Sequence, residues 1–296
     1  MDFELTYEYT PEQQAFRKEV VAWLADNAPK REPDDPGVEP SDEDIQQRVE
    51  DDTAWQLKLG AKGWLVPTAP KELSGGGLTP ADAVVIVEEL AKRNLPGGRG
   101  PSILAPAIMV HGTDEQKQRF VRPWFQGKFS VWQVFTEPEA GSDLASLKTR
   151  GVRDGDEWVV NGSKQFISTR GAPDGAGGSP DWLFTLVNTN PQAPRHENIS
   201  LFMIDAKAPG VTIQRMDGIG MREFGGGQHF VFFDNVRVPA QNLIGAEGKG
   251  WMMANTTLEL EHGGSGTIAA APTEGRGALV GRVIEYLKSN SPGVTV

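Results

Sequence analysis

The sequence predicts an α+β protein in three parts: a helical segment over residues 1–128, an antiparallel β domain folded as a small barrel over 129–240, and the start of a helical bundle over 241–296. Three observations carry this. Up to Lys128 the apolar residues recur every three or four positions behind well-formed helix start signals. From Ser130 to Pro239 the period falls to two, in short runs separated by turn residues, and near Glu247 helical spacing returns.

The first helix opens at Thr10-Pro11-Glu12-Gln13, where a capping hydroxyl, a first-turn proline and a capping-box glutamine precede Phe16, Val20, Trp23 and Leu24. The same grammar recurs at Thr79-Pro80-Ala81-Asp82 before Val84 to Leu90, and at Thr113-Asp114-Glu115-Gln116 before Phe120, Val121, Trp124 and Phe125. Helices from about Asp42 to Lys58 and from Ser102 to His111 complete five. Strand runs follow at Val131–Thr136, Trp158–Val160, Lys164–Ser168, Trp182–Val187, Ser200–Asp205, Val211–Gln214 and His229–Phe233. Asp154-Gly155 and Asn161-Gly162 are hairpin-turn dipeptides, and Ala172 to Pro180 reads as a Gly-rich loop. The last helical stretch, from Glu247-Gly248-Lys249-Gly250 to about Lys288, cannot bury its own apolar face and needs a partner surface.

Charge is local rather than global. The chain carries −11, but residues 32–52 hold ten acids against Arg48 alone, which leaves the remainder nearly neutral and marks this stretch as a solvated loop and helix start. No basic stripe is present to displace counterions from phosphates, so nucleic-acid binding is disfavoured. The absence of cysteine excludes disulfides, thiol nucleophiles, thiolate-bound zinc and iron–sulfur ligation by this chain. The four histidines (His111, His196, His229, His262) are scattered, so no metal site is expected. The N-terminal residues show neither a basic region nor a long apolar run, and no stretch approaches the roughly 20 apolar residues that span a bilayer. A cytoplasmic chain without membrane contact is the expectation.

Chemistry concentrates in Gln133-Val-Phe-Thr-Glu-Pro-Glu-Ala-Gly-Ser-Asp143. An apolar strand ends there in a turn. Pro138 lacks an amide donor and stops the ladder. Gly141 permits close backbone approach, and the Ser142 hydroxyl with its neighbouring amides can meet a phosphate or carbonyl oxygen.

This segment, followed by Asn161-Gly162-x-Lys164-x-x-Ile167-Ser168 between two helical regions, resembles the acyl-CoA dehydrogenase family over essentially the whole chain. Supporting pieces are Gly63-Trp64 with Pro67 and Gly75-Gly76-Gly77, Gly112-Thr113-x-x-Gln116-Lys117, Phe232-x-Asp234-x-Val236-x-Val238-Pro239, and Gly248-x-Gly250. The resemblance implies FAD lying against the two β-domain segments, with Gln133, Phe135, Thr136, Gly141, Ser142, Phe166, Ile167 and Ser168 as cofactor-binding positions. Thr136 would offer backbone and hydroxyl to the isoalloxazine edge, Ser142 would meet the pyrophosphate and lie near the acyl-CoA, and Ser168 would stand near flavin N5. Phe166 takes a position where the family often has Trp; it keeps the π-face and lacks the indole donor.

The activity so implied is α,β-dehydrogenation of an acyl-CoA thioester, with an electron-transferring flavoprotein as electron acceptor and a homo- or hetero-oligomeric assembly. Most of the family place the base beyond the end of this sequence, and roughly the last quarter of a usual member is absent here. A minority place it in a Leu-Glu-Arg context on the helix entering the C-terminal domain. Leu258-Glu259-Leu260-Glu261-His262 matches that minority pattern with Glu261 as the base and His262, a possible substrate contact, in the arginine's place. Glu259 and Glu261, two residues apart, cannot share a helix face. Two alternatives stay open: a non-catalytic or half-site subunit of a heteromeric enzyme, and a related flavin oxidase or monooxygenase.

Overall fold

A computed structural model describes residues 8–29, 41–93, 95–97, 104–170, 180–216 and 226–259. They fall into two compact units. The first is formed by α1 (Pro11–Asn27) and α3 (Pro80–Ala91). Thr10 caps α1 by accepting from the Gln13 amide, and the Gln13 side chain accepts from the Thr10 amide in return. Gln13 also donates to the Ala81 carbonyl at 3.2 Å, so one capping residue joins both helices. Val20 and Leu24 on α1 and Val85, Ile86 and Leu90 on α3 are buried.

A charged network crosses the same pair. Arg17 donates to Glu88 and to Glu89 at 2.6 Å each, and Lys92 and Arg93 reach Glu89 at 2.7 Å. Burial pushes the Glu89 carboxyl up, but the donors from Lys92, Arg93 and Arg17 outweigh it and hold it down at about 2. A carboxyl depressed in the folded state stabilises it above the ordinary value of 4.5 and loses that contribution as pH falls toward 2. Glu89→Gln is therefore expected to lower stability by about 1.5–3 kcal/mol at neutral pH. The loss should shrink in denaturant titrations repeated from pH 5 downward.

The second unit begins with α2 (Asp42–Lys62), capped by Ser41, whose hydroxyl accepts from the Asp44 amide. Asp42, Glu43 and Asp44 fall in the first turn, where the helix dipole favours negative charge, so part of the acidic stretch supports a helix start. Helices α4 (Ala105–His111) and α5 (Asp114–Gln116) follow. α5 runs through a π-helical turn, Lys117–Val121, into α6 (Arg122–Phe125). Pro123 cannot donate to the preceding turn, and the wider turn accommodates it, with the Arg122 amide reaching back to the Lys117 carbonyl. Gln116, from the capping box at Thr113, donates to the Leu243 carbonyl at 2.6 Å and accepts from the Gly245 amide, tethering α5 to the last strand of the sheet and the residue after it.

The strands are β1 (Val131–Val134), β2 (Arg150–Asp154), β3 (Glu157–Arg170), β4 (Trp182–Asn188), β5 (Ile199–Asp205), β6 (Val211–Met216), β7 (Gly226–Pro239) and β8 (Leu243–Ile244). They are ordered β6-β7-β3-β2-β4-β5-β8, with β1 pairing β4. Two expectations are corrected here. The sheet is open rather than a closed barrel: among the described residues its two halves meet at one strand pairing, Arg150 with Asn188, and its end strands do not pair with each other. Nor is it wholly antiparallel, since β1 and β4 run parallel. The halves fold over a shared interior: Trp158, Val160, Ile167, Val231 and Phe233 from one side meet Leu183, Val187, Phe202 and Ile204 from the other. A second cluster covers the opposite face of β4 and β5, where Phe184, Leu186, Leu201 and Met203 pack with α4, α6 and Phe120. Covered on both faces, these two strands read as continuous apolar runs.

The β2–β3 hairpin does turn where Asp154-Gly155 was expected to turn it, although Asp154 ends β2 and pairs with Glu157, so the loop itself is Gly155-Asp156, with Gly155 at φ 62°. Asn161-Gly162 does not turn; it lies inside β3, which joins two runs expected to be separate. Gly162 is required there at φ 149°, and because a Cβ would stand 2.6–2.8 Å from Thr149. α7 (Gly250–Glu259) closes the described chain. It docks by His196 stacking on Trp251 at 4.3 Å and by the His111 Nε2–Thr256 Oγ1 hydrogen bond of 3.0 Å. The Gly-rich loop expected before Pro180, at 171–179, lies outside the described residues. No helix among the described residues is long and apolar enough to cross a membrane.

Candidate functional site

The two segments singled out in the sequence are held together by a buried ion pair. Lys164, wholly inaccessible, donates from Nζ to Glu137 Oε1 at 2.8 Å and to the Phe135 carbonyl at 3.0 Å. The Glu137 carboxylate also accepts the backbone amides of Lys148 at 2.6 Å and Thr149 at 2.9 Å. Glu137 and Ala140 exchange backbone hydrogen bonds across a tight turn containing Pro138. Alongside, the Gln165 amide donates to the Thr136 carbonyl at 2.9 Å and its side chain reaches the Glu137 carbonyl at 3.3 Å. Burial pushes the Lys164 ammonium down to about 8 against the pull of Glu137. Burial also raises Glu137, but the Lys164 charge and the donated hydrogen bonds leave it below the usual carboxylate value.

Directly after Lys164 the β3–β7 register slips, and Phe166 sits in the resulting bulge at φ 57° with half of its surface exposed. A left-handed conformation for an aromatic residue costs of order 1–3 kcal/mol, and residues so held cluster at ligand sites. Its neighbours behave differently. Ile167 points into the sheet interior, with its carbonyl 3.4 Å from His229 Nδ1. Ser168 pairs with Gln228 through its backbone, and its side chain lies outside the described residues.

On the other segment, Phe135 is buried against Phe184 at 5.7 Å, so that only its backbone is left for a ligand. Thr136 is half-buried and adjoins Gln165. Gln133 has its Oε1 buried without a hydrogen-bond partner among the described residues. Gly141 and Ser142 are exposed beyond the turn, and a Cβ at Gly141 would meet nothing within 4 Å. Neither backbone strain nor crowding by the described residues demands glycine there. Glu261 and His262 lie outside the described residues.

The arrangement thus brings Thr136 beside Gln165 and Phe166, turns Phe135 and Ile167 into the core, and leaves Gly141 and Ser142 open. The surface so formed carries an exposed ring at Phe166 and an open glycine-serine turn. Sequence reasoning quoted Glu137 and Lys164 within its motifs but gave neither them nor His229 a role in the site. Lys164 shares the inward parity of Trp158 and Val160 only because β3 runs on through Asn161-Gly162, where a turn was expected. His229 packs on Trp132 with ring centroids 4.7 Å apart, and burial holds its imidazole below the usual value.

Comparison with known proteins bears on the whole chain. A family model described as the acyl-CoA dehydrogenase N-terminal domain matches residues 10–128, and one described as the middle domain matches residues 133–236. The chain is similar to the acyl-CoA dehydrogenase IpdE1 of Mycobacterium tuberculosis, at 35% identity over 84% of this chain and 62% of that protein. Among solved structures it is similar to the Tcur3481-Tcur3483 steroid ACAD, at 30% identity and TM-score 0.67, covering 96% of this chain and 68% of that one. It is also similar to a chain of the ChsE4-ChsE5 complex of Mycobacterium tuberculosis, at 28% identity and TM-score 0.68, covering 98% and 69%. The chain therefore spans about three fifths of the length of the curated relative and about two thirds of the solved ones. Carried by both family domains in sequence and by the matching fold, the conclusion is that this chain belongs to the acyl-CoA dehydrogenase family.

Proposed function

We propose that this chain is the flavin-holding part of an acyl-CoA dehydrogenase that introduces an α,β double bond into an acyl-CoA thioester. The observation that carries the reading is Phe166, an aromatic ring held exposed at positive φ in the β3 bulge beside Thr136. FAD, when bound, supplies the acceptor for the β-hydrogen, which leaves as hydride. Thr136 offers a hydroxyl and Phe166 a π-face to its ring system, while Gly141 and Ser142 leave room and donors for its phosphates. The buried Gln133 oxygen adds an acceptor that lacks a partner within the described residues. Ile167 and Phe135 contribute backbone groups, and Ser168 a hydroxyl.

In this reading Glu261 takes the α-proton, the electron pair of that C–H bond forms the new double bond, and His262 contacts the thioester's carrier. A carboxylate is a weak base for a carbon acid, so apolar surroundings and donors toward the thioester oxygen must assist it. Electrons pass onward to an electron-transferring flavoprotein. Two of the solved relatives are named as pairs, and one of those is named a steroid enzyme. On that basis we take a ring-bearing thioester as the substrate class and a two-subunit assembly as the working state. The second reading is then a half-site subunit, and the paired names favour it over the oxidase alternative.

The test is direct. Purified chain should take up FAD and turn yellow, and anaerobic addition of a steroid or long acyl-CoA thioester should bleach the flavin band. A colourless protein that takes up no FAD would leave the half-site subunit, and fast reoxidation by oxygen after bleaching would indicate an oxidase.

A further inference from the structure

We infer that Glu137 and Lys164 are positioning residues for the flavin: a buried, charged clasp that fixes the segment 135–149 against the bulge at 165–167, although neither touches the ligand. The inference rests on the flavin reading above. Its grounds are the pattern of the clasp. The hydrogen bonds of the two side chains run to backbone and to each other: Lys164 to the Phe135 carbonyl, Glu137 to the Lys148 and Thr149 amides. These contacts grip the chain on both sides of the Glu137–Ala140 turn, at Phe135 before it and at Lys148 and Thr149 after it. The open Gly141-Ser142 stretch is thus anchored at both ends while remaining free of the sheet.

The strand partner is gripped by the same groups. β1 ends at Val134, and beyond it the link to β3 consists of the Lys164 ammonium, the Gln165 amide and the Gln165 side chain. Gly162 clears space for Thr149, which brings the Thr149 amide within reach of Glu137. The Asn-Gly-x-Lys run thereby acquires a physical account: Asn161 accepts the Asn235 amide at 2.9 Å, Gly162 admits Thr149, and Lys164 closes the clasp just before the backbone is thrown into the Phe166 bulge. An apolar pair could fill the same volume, but it could not satisfy one carbonyl and two amides at once.

The experiment compares Glu137→Gln, Lys164→Met and a control, Gln116→Ala, whose side chain bonds instead to Thr113, Gln241, Leu243 and Gly245. FAD affinity is read by quenching of flavin fluorescence, the flavin environment by the visible band of the bound cofactor, and the clasp by hydrogen exchange of peptides covering 143–150. Both clasp variants should bind FAD at least tenfold more weakly, shift its band and exchange faster over 143–150. Gln116→Ala should lower the melting temperature with FAD affinity within twofold of the parent. Clasp variants that lose stability but bind FAD as the parent does overturn the inference, as does weakened FAD binding without faster exchange. A parent chain that takes up no FAD overturns the flavin reading and this inference together, so the two failures are distinguishable.

Discussion

Lys164→Met is expected to destabilise the fold by about 3–5 kcal/mol, the cost of leaving one partner of a buried ion pair without the other. Methionine nearly fills the space, so little of the loss would be cavity formation. It arises because the Glu137 carboxylate keeps two amide donors but loses its counter-charge, and the Phe135 carbonyl loses the Lys164 ammonium as donor. Equilibrium denaturation at pH 7 measures it, and a loss under 1 kcal/mol would contradict the argument. The pH dependence has a definite sign. Lys164 is held at about 8, below its ordinary 10.5, so the unfolded chain binds more protons between these values and the parent should gain stability as pH rises through that window. The gain should vanish in Lys164→Met. Glu137, depressed below 4.5, acts at the other end: its contribution is present above 4.5 and lost as pH falls.

What was legible in the sequence follows the range of the interactions. Thr10, Thr79 and Thr113 announce their helices because a cap is made within four residues. The strands between Trp182 and Asp205 were equally plain, as unbroken apolar runs. The bulge at Phe166 and the merging of two runs into β3 were not, because the first depends on register against β7 and the second on Thr149 lying against Gly162. A dipeptide such as Asn161-Gly162 carries the same local preference whether it turns or sits under a neighbouring strand. The expected closed barrel failed for a related reason: alternation fixes which residues face inward, but the single Arg150–Asn188 pairing between the halves is a matter of long-range geometry. Among candidate site residues, Phe135 and Ile167 illustrate the limit. Their motifs were recognisable, but that their side chains belong to two different core clusters needed coordinates.

Glu261→Gln should abolish anaerobic bleaching, lowering its rate by about 10²–10⁴-fold while leaving FAD content unchanged. Glutamine is nearly isosteric and keeps hydrogen-bonding capacity, so under the proposed function the change removes the proton acceptor and little else. The choice of Glu261 over Glu259 has a basis in the helix that precedes it. α7 buries Met253, Ala254 and Thr257, and Glu259 is exposed at its end. In sequence Glu261 stands four residues after Thr257 and seven after Ala254, the spacing of one helix face. The docking of α7 supports a defined approach, since the His196–Trp251 stack and the His111–Thr256 hydrogen bond fix both its first and its last turns. Glu259→Gln is the matched control and should bleach at the parent rate. Single-turnover absorbance with a thioester substrate decides between them: if Glu261→Gln bleaches as fast as the parent, the base is another group, supplied by a partner subunit or by a residue other than these two glutamates.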